Sequence, residues 1–310
     1  MKKVVAIVGP TASGKTALSV ELAKKFNGEI ISADSMQVYK NMPIATAVAA
    51  KDEQDGVPHH LIEFLDADQE FSVADFVKLA KEKINDIISR GKTPFVVGGT
   101  GLFVDSLLNN VEFVDSGKNI ELREKLLQKA NDFGNDYLYN ELVKIDFAAA
   151  EKIHPNNIGR VVRALELYYT TGVKISEQFE NSRINPSEIS SLIIGINYKE
   201  RQNLYNRINK RVDIMLEQGI LHEAEENANK GNYATSRQAI GHKELMPYIN
   251  GKMSLDEACD NLKKQTRRYA KRQLTWFRRN ENINWLYADD LSNAELISQG
   301  EKLINDFLKG

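Results

Sequence analysis

The chain has 310 residues, 42% of them hydrophobic and 27% charged, a balance that can bury a full core and excludes disordered, collagen-like and mini-protein classes. Its single cysteine, Cys259, excludes an intramolecular disulfide or a cysteine-based zinc site and fits a reducing, cytoplasmic setting. The formal net charge of −2 selects no partner class, and no apolar run approaches the ~18 residues of a membrane span, so no membrane partner is expected.

Met1-Lys2-Lys3 before the apolar Val4 to Val8 looks like the start of a signal peptide, but the run is too short and passes straight into a glycine-rich loop. Lys3 to Val8 therefore reads as a β-branched strand ending at Gly9. Thr16 to Phe26, with Leu18, Leu22 and Phe26 at i, i+4 and i+8, reads as a helix stopped by Asn27-Gly28. Glu29 to Ala33 is a second strand ending at Asp34. Ser72 to Arg90 is a helix opened by the capping pair Ser72 and Asp75, and Thr93 to Val97 is a third strand running into Gly98-Gly99. Strands alternating with helices imply βαβ units: an α/β fold with a P-loop NTPase-like parallel sheet, flanking helices, and ligands at the carboxyl ends of the strands.

From about Gly117 to Pro186 the strand signal vanishes, and Ile120 to Lys129, Asp136 to Lys144 and Asn157 to Thr170 read as charged helices. The expected organisation is thus a core of residues 1–117 and 190–310 with an inserted all-helical domain at 118–189. Ser191 to Tyr198 returns the chain to the sheet, and the remainder reads as mostly helical. The last long helix opens with the capping pair Ser254 and Glu257. On a helical wheel its Leu255, Cys259, Leu262, Tyr269, Trp276 and Phe277 share one arc, with Leu274 the exception. Between Lys263 and Arg279 this segment carries eight basic residues and no acidic one, leaving 33 basic against 43 acidic residues elsewhere. A run with no compensating acid reads equally as a solvated face or as an anion-binding surface.

Gly9, Pro10, Thr11, Ala12, Ser13, Gly14, Lys15 and Thr16 fit G-x-x-x-x-G-K-[ST] between a strand and a helix, the context of a P-loop. Its amides and the helix dipole would cradle phosphate, Lys15 would neutralise charge, and the Thr16 hydroxyl could ligate Mg²⁺. Such loops are nucleotide-binding, most often ATP-binding, but the motif alone specifies only a polyphosphate. Where a second metal-binding aspartate is usual, the third strand offers Gly98-Gly99-Thr100, so the chemistry need not be γ-phosphate hydrolysis. Asp34 is the candidate acid of the site, although a turn aspartate is an equal reading from strand position alone. Adjacent His59 and His60 would face opposite sides of an extended segment and make a poor metal site. His154 and His242 read as loop or turn residues, and Arg160 with Arg163 could meet either acidic neighbours or phosphate.

Several stretches together resemble the tRNA dimethylallyltransferases of bacterial type: GPTASGKT (9–16), ISADSMQVY (31–39), VPHHLI (57–62), FSVADF (71–76), VGGTGLF (97–103), IHPNN with Arg160 and Arg163, RINKRVDIML (207–216), QAIGHKE (238–244) and RRYAKRQLTWFR (267–278). The resemblance implies transfer of a dimethylallyl group from dimethylallyl diphosphate to the exocyclic amine of the adenine 3′ of the anticodon in tRNA. The P-loop would hold the diphosphate leaving group with Mg²⁺ at Thr16. It also implies catalytic roles for Asp34 as base, Thr100 beside the bridging oxygen, and Lys15. The tRNA-binding set it implies is Asp34, Ser35, Met36, Gln37, Gly159, Arg160, Arg163, Gln238, Ala239, Ile240, Gly241, His242 and Lys243, and the uncompensated basic helix adds Arg268 and Arg272. The helical domain 118–189 would contact the anticodon stem-loop, and a cytoplasmic monomer is expected.

The chain departs from the family pattern at Asn41 to Val48. There Pro43, Ala45 and Val48 stand where the family usually has Asp, Gly and Lys, and Phe103 replaces a usual tyrosine. Two charges are lost near the expected site, so weaker activity or metal binding is one expectation. A C-terminal zinc-finger extension of the eukaryotic kind is not expected, which favours the bacterial type. Read without the resemblance, a P-loop small-molecule or nucleotide kinase with a helical lid ranks first, and a nucleic-acid-binding ATPase is a third reading.

Overall fold

The structure is a computed structural model that describes residues 1–111, 113, 119–178, 187–229 and 239–310. Gln238, one of the expected tRNA contacts, lies outside the described residues. By its internal contacts the chain divides into a unit of Met1–Leu108 with Glu188–Gly310 and a unit of Asn109–Ser187.

The first unit is built on a six-stranded parallel sheet in the order β3-β2-β4-β1-β5-β6. The strands are β1 (Lys2–Val8), β2 (Gly28–Ser32), β3 (His59–His60), β4 (Thr93–Gly98), β5 (Ile189–Asn197) and β6 (Ile283–Tyr287). Val4 to Val8 is apolar without alternation because β1 lies between β4 and β5 and is covered on both faces, as parallel strands are. The register sets Val8 beside Gly98 and Gly195, and Ser32 beside Val97. The chain thus leaves β1, β2 and β4 at a common edge with Gly9, Ala33 and Gly99. Beneath that edge Val5, Ile7, Ile30 and Phe95 pack with Leu18 and Leu22 of the helix Lys15–Lys25 and with Leu296 and Ile304 of the helix Asn293–Lys309.

Most expected elements stand within a residue or two of their sequence positions. Strands β3 and β6 and the helix Asn293–Lys309 are additions to the expected order, so the helix Leu255–Phe277 is not the last long one. Strand β3 has two residues, and β6 is an edge strand whose exposed Asn284 interrupts the apolar pattern, so neither generates a period to read. The terminal helix does carry a readable start, a reciprocal capping box between Ser292 and Glu295.

The described part of the second unit is helical: Ile120–Phe133, Asn135–Ile145, Phe147–Ala150 and Ile158–Thr171. It has its own core, in which Leu126, Leu138, Leu142, Val161 and Leu165 are buried together. Asp146 stitches it, accepting from Ala149 N–H and Ser176 N–H at 3.0 Å each.

At the opposite edge of the sheet from the loop, buried Glu29 takes two hydrogen bonds from Arg90, at 2.5 and 2.8 Å, and one from Lys92 at 2.7 Å. Its second oxygen also meets His60 Nε2 at 2.7 Å. Arg90 before all, then Lys92 and His60, hold this carboxyl well below the ordinary glutamate range, against the opposing effect of burial. A depressed folded pKa gives stability that is whole above the unfolded value of about 4.3 and lost as pH falls toward the folded one. Glu29→Gln should therefore cost about 2 kcal/mol at pH 7, since its cationic partners still reach water. In urea titrations the gap to wild type should narrow at pH 3, and an equal gap at both pH values would remove the charge from the explanation.

Candidate active site

The P-loop begins at a glycine because nothing larger fits: a Cβ on Gly9 would stand 2.5 Å from the Ile196 carbonyl oxygen of β5 and 3.1 Å from Ser13 Oγ. The loop turns through Ala12 and Gly14, both at positive φ, and the helix Lys15–Lys25 starts with no side-chain cap on its first-turn amides. Those donors, together with the buried Ser13 hydroxyl that finds no partner among the described residues, are what an anion would satisfy. Lys15 folds over the loop, its Nζ donating to Pro10 O at 2.6 Å. Burial and the nearby Arg211 guanidinium push the Lys15 ammonium down to about 7, while Asp34 pulls the other way.

Asp34 follows β2 and faces the same edge. Its Oδ1 accepts from Met36 N–H at 2.9 Å and from Gln37 N–H at 3.4 Å, an Asx turn that leaves Oδ2 without a hydrogen bond among the described residues. Burial raises its pKa, offset by those amides, by Lys15 and by Arg211. Thr100 joins the same turn, its Oγ1 accepting from Ser35 N–H at 3.1 Å. Lys15, Asp34 and Thr100 therefore come from three strand ends to one place, as the parallel register requires.

Four further side chains enter this site that the motif reading did not assign. Tyr269 and Gln273 lie on the inner face of the basic helix. The Tyr269 hydroxyl sits beside Thr100 and Gln273, and burial raises its pKa, helped by the Asp34 charge. Arg211, half-buried on the helix Arg201–Glu217, couples electrostatically to both Lys15 and Asp34. Arg207, four residues earlier, donates from Nε to Ala12 O at 3.0 Å. The available signal was spacing: each pair is i, i+4 on one helix, and a glutamine among apolar positions marks a buried polar group with a task.

The expected tRNA-contacting residues divide. Gln37 spends its carboxamide inside the protein, accepting from Ser32 Oγ at 2.7 Å and donating to Thr46 O and Ala47 O at 3.2 and 3.0 Å. Met36 packs beside Val38, Tyr39, Met42 and buried Ala239. Of the described stretch Ala239 to Lys243, Ile240 is partly covered, Gly241 is buried and only Lys243 is exposed. His242 is not the loop residue its sequence position implied. It opens the helix His242–Ile249 and is buried, its Nε2 2.8 Å from Glu223 Oε1. That carboxylate also accepts from Ile44 N–H and Ala45 N–H at 2.8 and 3.0 Å, so it holds the atypical Asn41 to Val48 stretch in a short helix, Pro43–Thr46.

In the second unit Gly159 and Arg160 are exposed, and Arg163 pairs with buried Glu166 at 3.1 Å. On the basic helix Lys264, Arg268, Lys271 and Arg272 are exposed, as are Arg278 and Arg279 just beyond its end. The run is not wholly uncompensated: Lys263 meets Asp213 at 2.6 Å, and Arg267 donates to Asn209 Oδ1 at 2.6 Å. Neither partner is visible from within the run.

His59 Nδ1 meets Val57 O at 2.8 Å, His60 is engaged by Glu29, and no group of three metal-binding side chains occurs among the described residues. No described helix is long and apolar enough to cross a membrane.

The family described as IPP transferase matches residues 37–280, and that described as isopentenyl transferase matches residues 2–68. The chain is 50% identical over 304 residues to a tRNA dimethylallyltransferase of Acetivibrio thermocellus, with 97% of each protein covered. It is 46% identical over 310 residues to one from Halalkalibacterium halodurans, covering 100% of this chain and 97% of the relative. Among solved structures it is similar to a tRNA isopentenylpyrophosphate transferase from Bacillus halodurans (TM-score 0.75, 45% identity, 100% and 97% of the two chains covered). It is similar too to a eukaryotic dimethylallyltransferase acting on tRNA (TM-score 0.85, 36% identity, 100% of this chain and 80% of the other covered). With a phosphate loop and a buried carboxylate at one sheet edge, and with these matches running from end to end, the chain belongs to the IPP transferase family, the tRNA dimethylallyltransferases.

Proposed function

We propose that the chain transfers the dimethylallyl group of dimethylallyl diphosphate to the exocyclic amine of the adenine 3′ of the anticodon in tRNA, releasing diphosphate, and that it works as a cytoplasmic monomer. The observation that carries this reading is the meeting of Lys15, Asp34 and Thr100 at the ends of β1, β2 and β4, with Gly98-Gly99 where a phosphoryl-transfer enzyme would place a second metal carboxylate. The loop amides and Lys15 stabilise negative charge as the carbon–oxygen bond breaks, and Asp34 accepts the proton that the adenine amine sheds. Thr100, fixed by the Ser35 amide, presents its hydroxyl toward the bridging oxygen.

The donor set suits a magnesium ion that arrives with the diphosphate. Thr16 stands exposed at the start of the helix, and Mg²⁺ keeps several waters while taking few protein ligands. Thr16 would hold it, and the ion would supply further neutralisation of the leaving group. A target base must leave its stack to reach such a site, and exposed Arg268, Arg272 and Lys243 supply charge of the kind that phosphates of an anticodon stem-loop require.

Incubation with unmodified tRNA and labelled dimethylallyl diphosphate, with ATP as competing donor, should place label in RNA without consuming ATP. ADP released in step with a phosphorylated product, in the absence of the isoprenoid donor, would return the kinase reading.

A further inference from the structure

Gln273 is 6% exposed, and both ends of its carboxamide are engaged. Its Oε1 accepts from Thr11 N–H at 2.8 Å, and its Nε2 donates to Gly99 O at 3.0 Å. The fit is close: a Cβ on Gly99 would stand 2.1 Å from Nε2. One turn further along, Trp276 Nε1 donates to Asp105 Oδ2 at 2.6 Å, which ties the basic helix to the helix Gly101–Leu108 that follows β4 and helps keep the carboxamide in place.

Thr11 is the third residue of the P-loop. In such a loop the phosphate nearest the helix is held by the amides around Gly14 to Thr16 and by the helix dipole, and a longer phosphate chain runs back toward the amides at the start of the loop. Here the donor at that start already serves a neutral oxygen of the protein. A third phosphate reaching for Thr11 N–H would have to expel the carboxamide from that amide and from the Gly99 carbonyl, leaving the carbonyl buried without its donor. Its added charge would also face Asp34 across the same edge.

We infer that Gln273 is a specificity-determining residue that limits the loop to two phosphates, its carboxamide occupying the acceptor position that a third phosphate would take. This rests on the diphosphate reading above and deepens it. The loop keeps the amides that bind a leaving diphosphate and gives up the one that a nucleoside triphosphate would add, so the selection is made at the loop itself.

The test compares calorimetric binding of inorganic pyrophosphate and inorganic tripolyphosphate, both with magnesium, to the full-length wild type, Gln273→Ala and Gln273→Asn. Wild type should prefer pyrophosphate. Gln273→Ala frees the Thr11 amide and should shift the ratio of the two dissociation constants toward tripolyphosphate by about tenfold or more, the size expected when a hydrogen bond to a charged group is gained. A purely structural role would weaken both anions alike and leave the ratio unmoved. Gln273→Asn, too short to span Thr11 and Gly99, should shift the ratio in the same direction and decides the matter if the alanine variant does not fold. Pyrophosphate binding with no preference in wild type, or with an unchanged ratio in the variants, overturns this inference alone. No pyrophosphate binding to wild type overturns the diphosphate reading and the inference with it.

Discussion

Asp34→Asn should reduce single-turnover prenyl transfer by about 10²–10⁴-fold, the usual contribution of a general acid–base group, with tRNA affinity nearly unchanged. Asparagine is the informative substitution because its Oδ1 can still accept from the Met36 and Gln37 amides, so the turn that follows β2 survives and only the proton acceptor is lost. Burial raises the Asp34 pKa, so the wild-type rate should rise with pH through a value above the ordinary aspartate range of about 3.9. That acid limb should be absent in the variant. A rate within a few-fold of wild type would take the base role away from Asp34. Loss of tRNA binding in parallel with the rate would make it a binding residue instead.

Lys15→Ala should raise the apparent binding constant of the isoprenoid donor and slow the chemical step, each by about 10- to 100-fold, because the ammonium meets phosphate charge in both ground and transition states. The environment of Lys15 adds a second signature. Burial and Arg211 push its pKa down to about 7 in the free site, and a bound diphosphate restores the charged form. At pH 8 pyrophosphate binding to wild type should therefore take up more protons than binding to Lys15→Ala. Calorimetry in buffers of different ionisation enthalpy reads this difference directly. Equal proton uptake in the two proteins would show that Lys15 does not change its protonation state on binding.

Short, locally encoded features were legible from the residues alone. The run Val4 to Val8, the glycine pattern through Thr16, and the capping pairs at Ser72 and Ser254 each specify their own backbone, and the helices Val73–Ser89 and Leu255–Phe277 begin where those pairs put them. Asp34 and Thr100 stand at strand ends, which a parallel sheet delivers to one edge, but strand position alone left Asp34 equally a turn residue, and the roles of both came from the family motifs. The weak points were local too. A two-residue strand such as β3, and an edge strand such as β6 with Asn284 facing water, bury too little to impose a period on the sequence.

What the sequence by itself determined, then, is the phosphate loop, the alternating α/β order, the helical insertion and, through the whole set of motifs, the family. Partnership across the chain was decided only in three dimensions. Gln273 and Thr11 stand 262 positions apart, and Glu223 lies 179 and 178 positions from the amides of Ile44 and Ala45 that it holds. Asp213 answers Lys263 from a neighbouring helix, and His242, beside a glycine in sequence, is carried inward to a buried carboxylate. Periodicity records which face of an element is apolar, because burial acts on each residue separately. A buried polar group needs a particular partner at hydrogen-bond distance, and which residue supplies it depends on how the strands and helices pack.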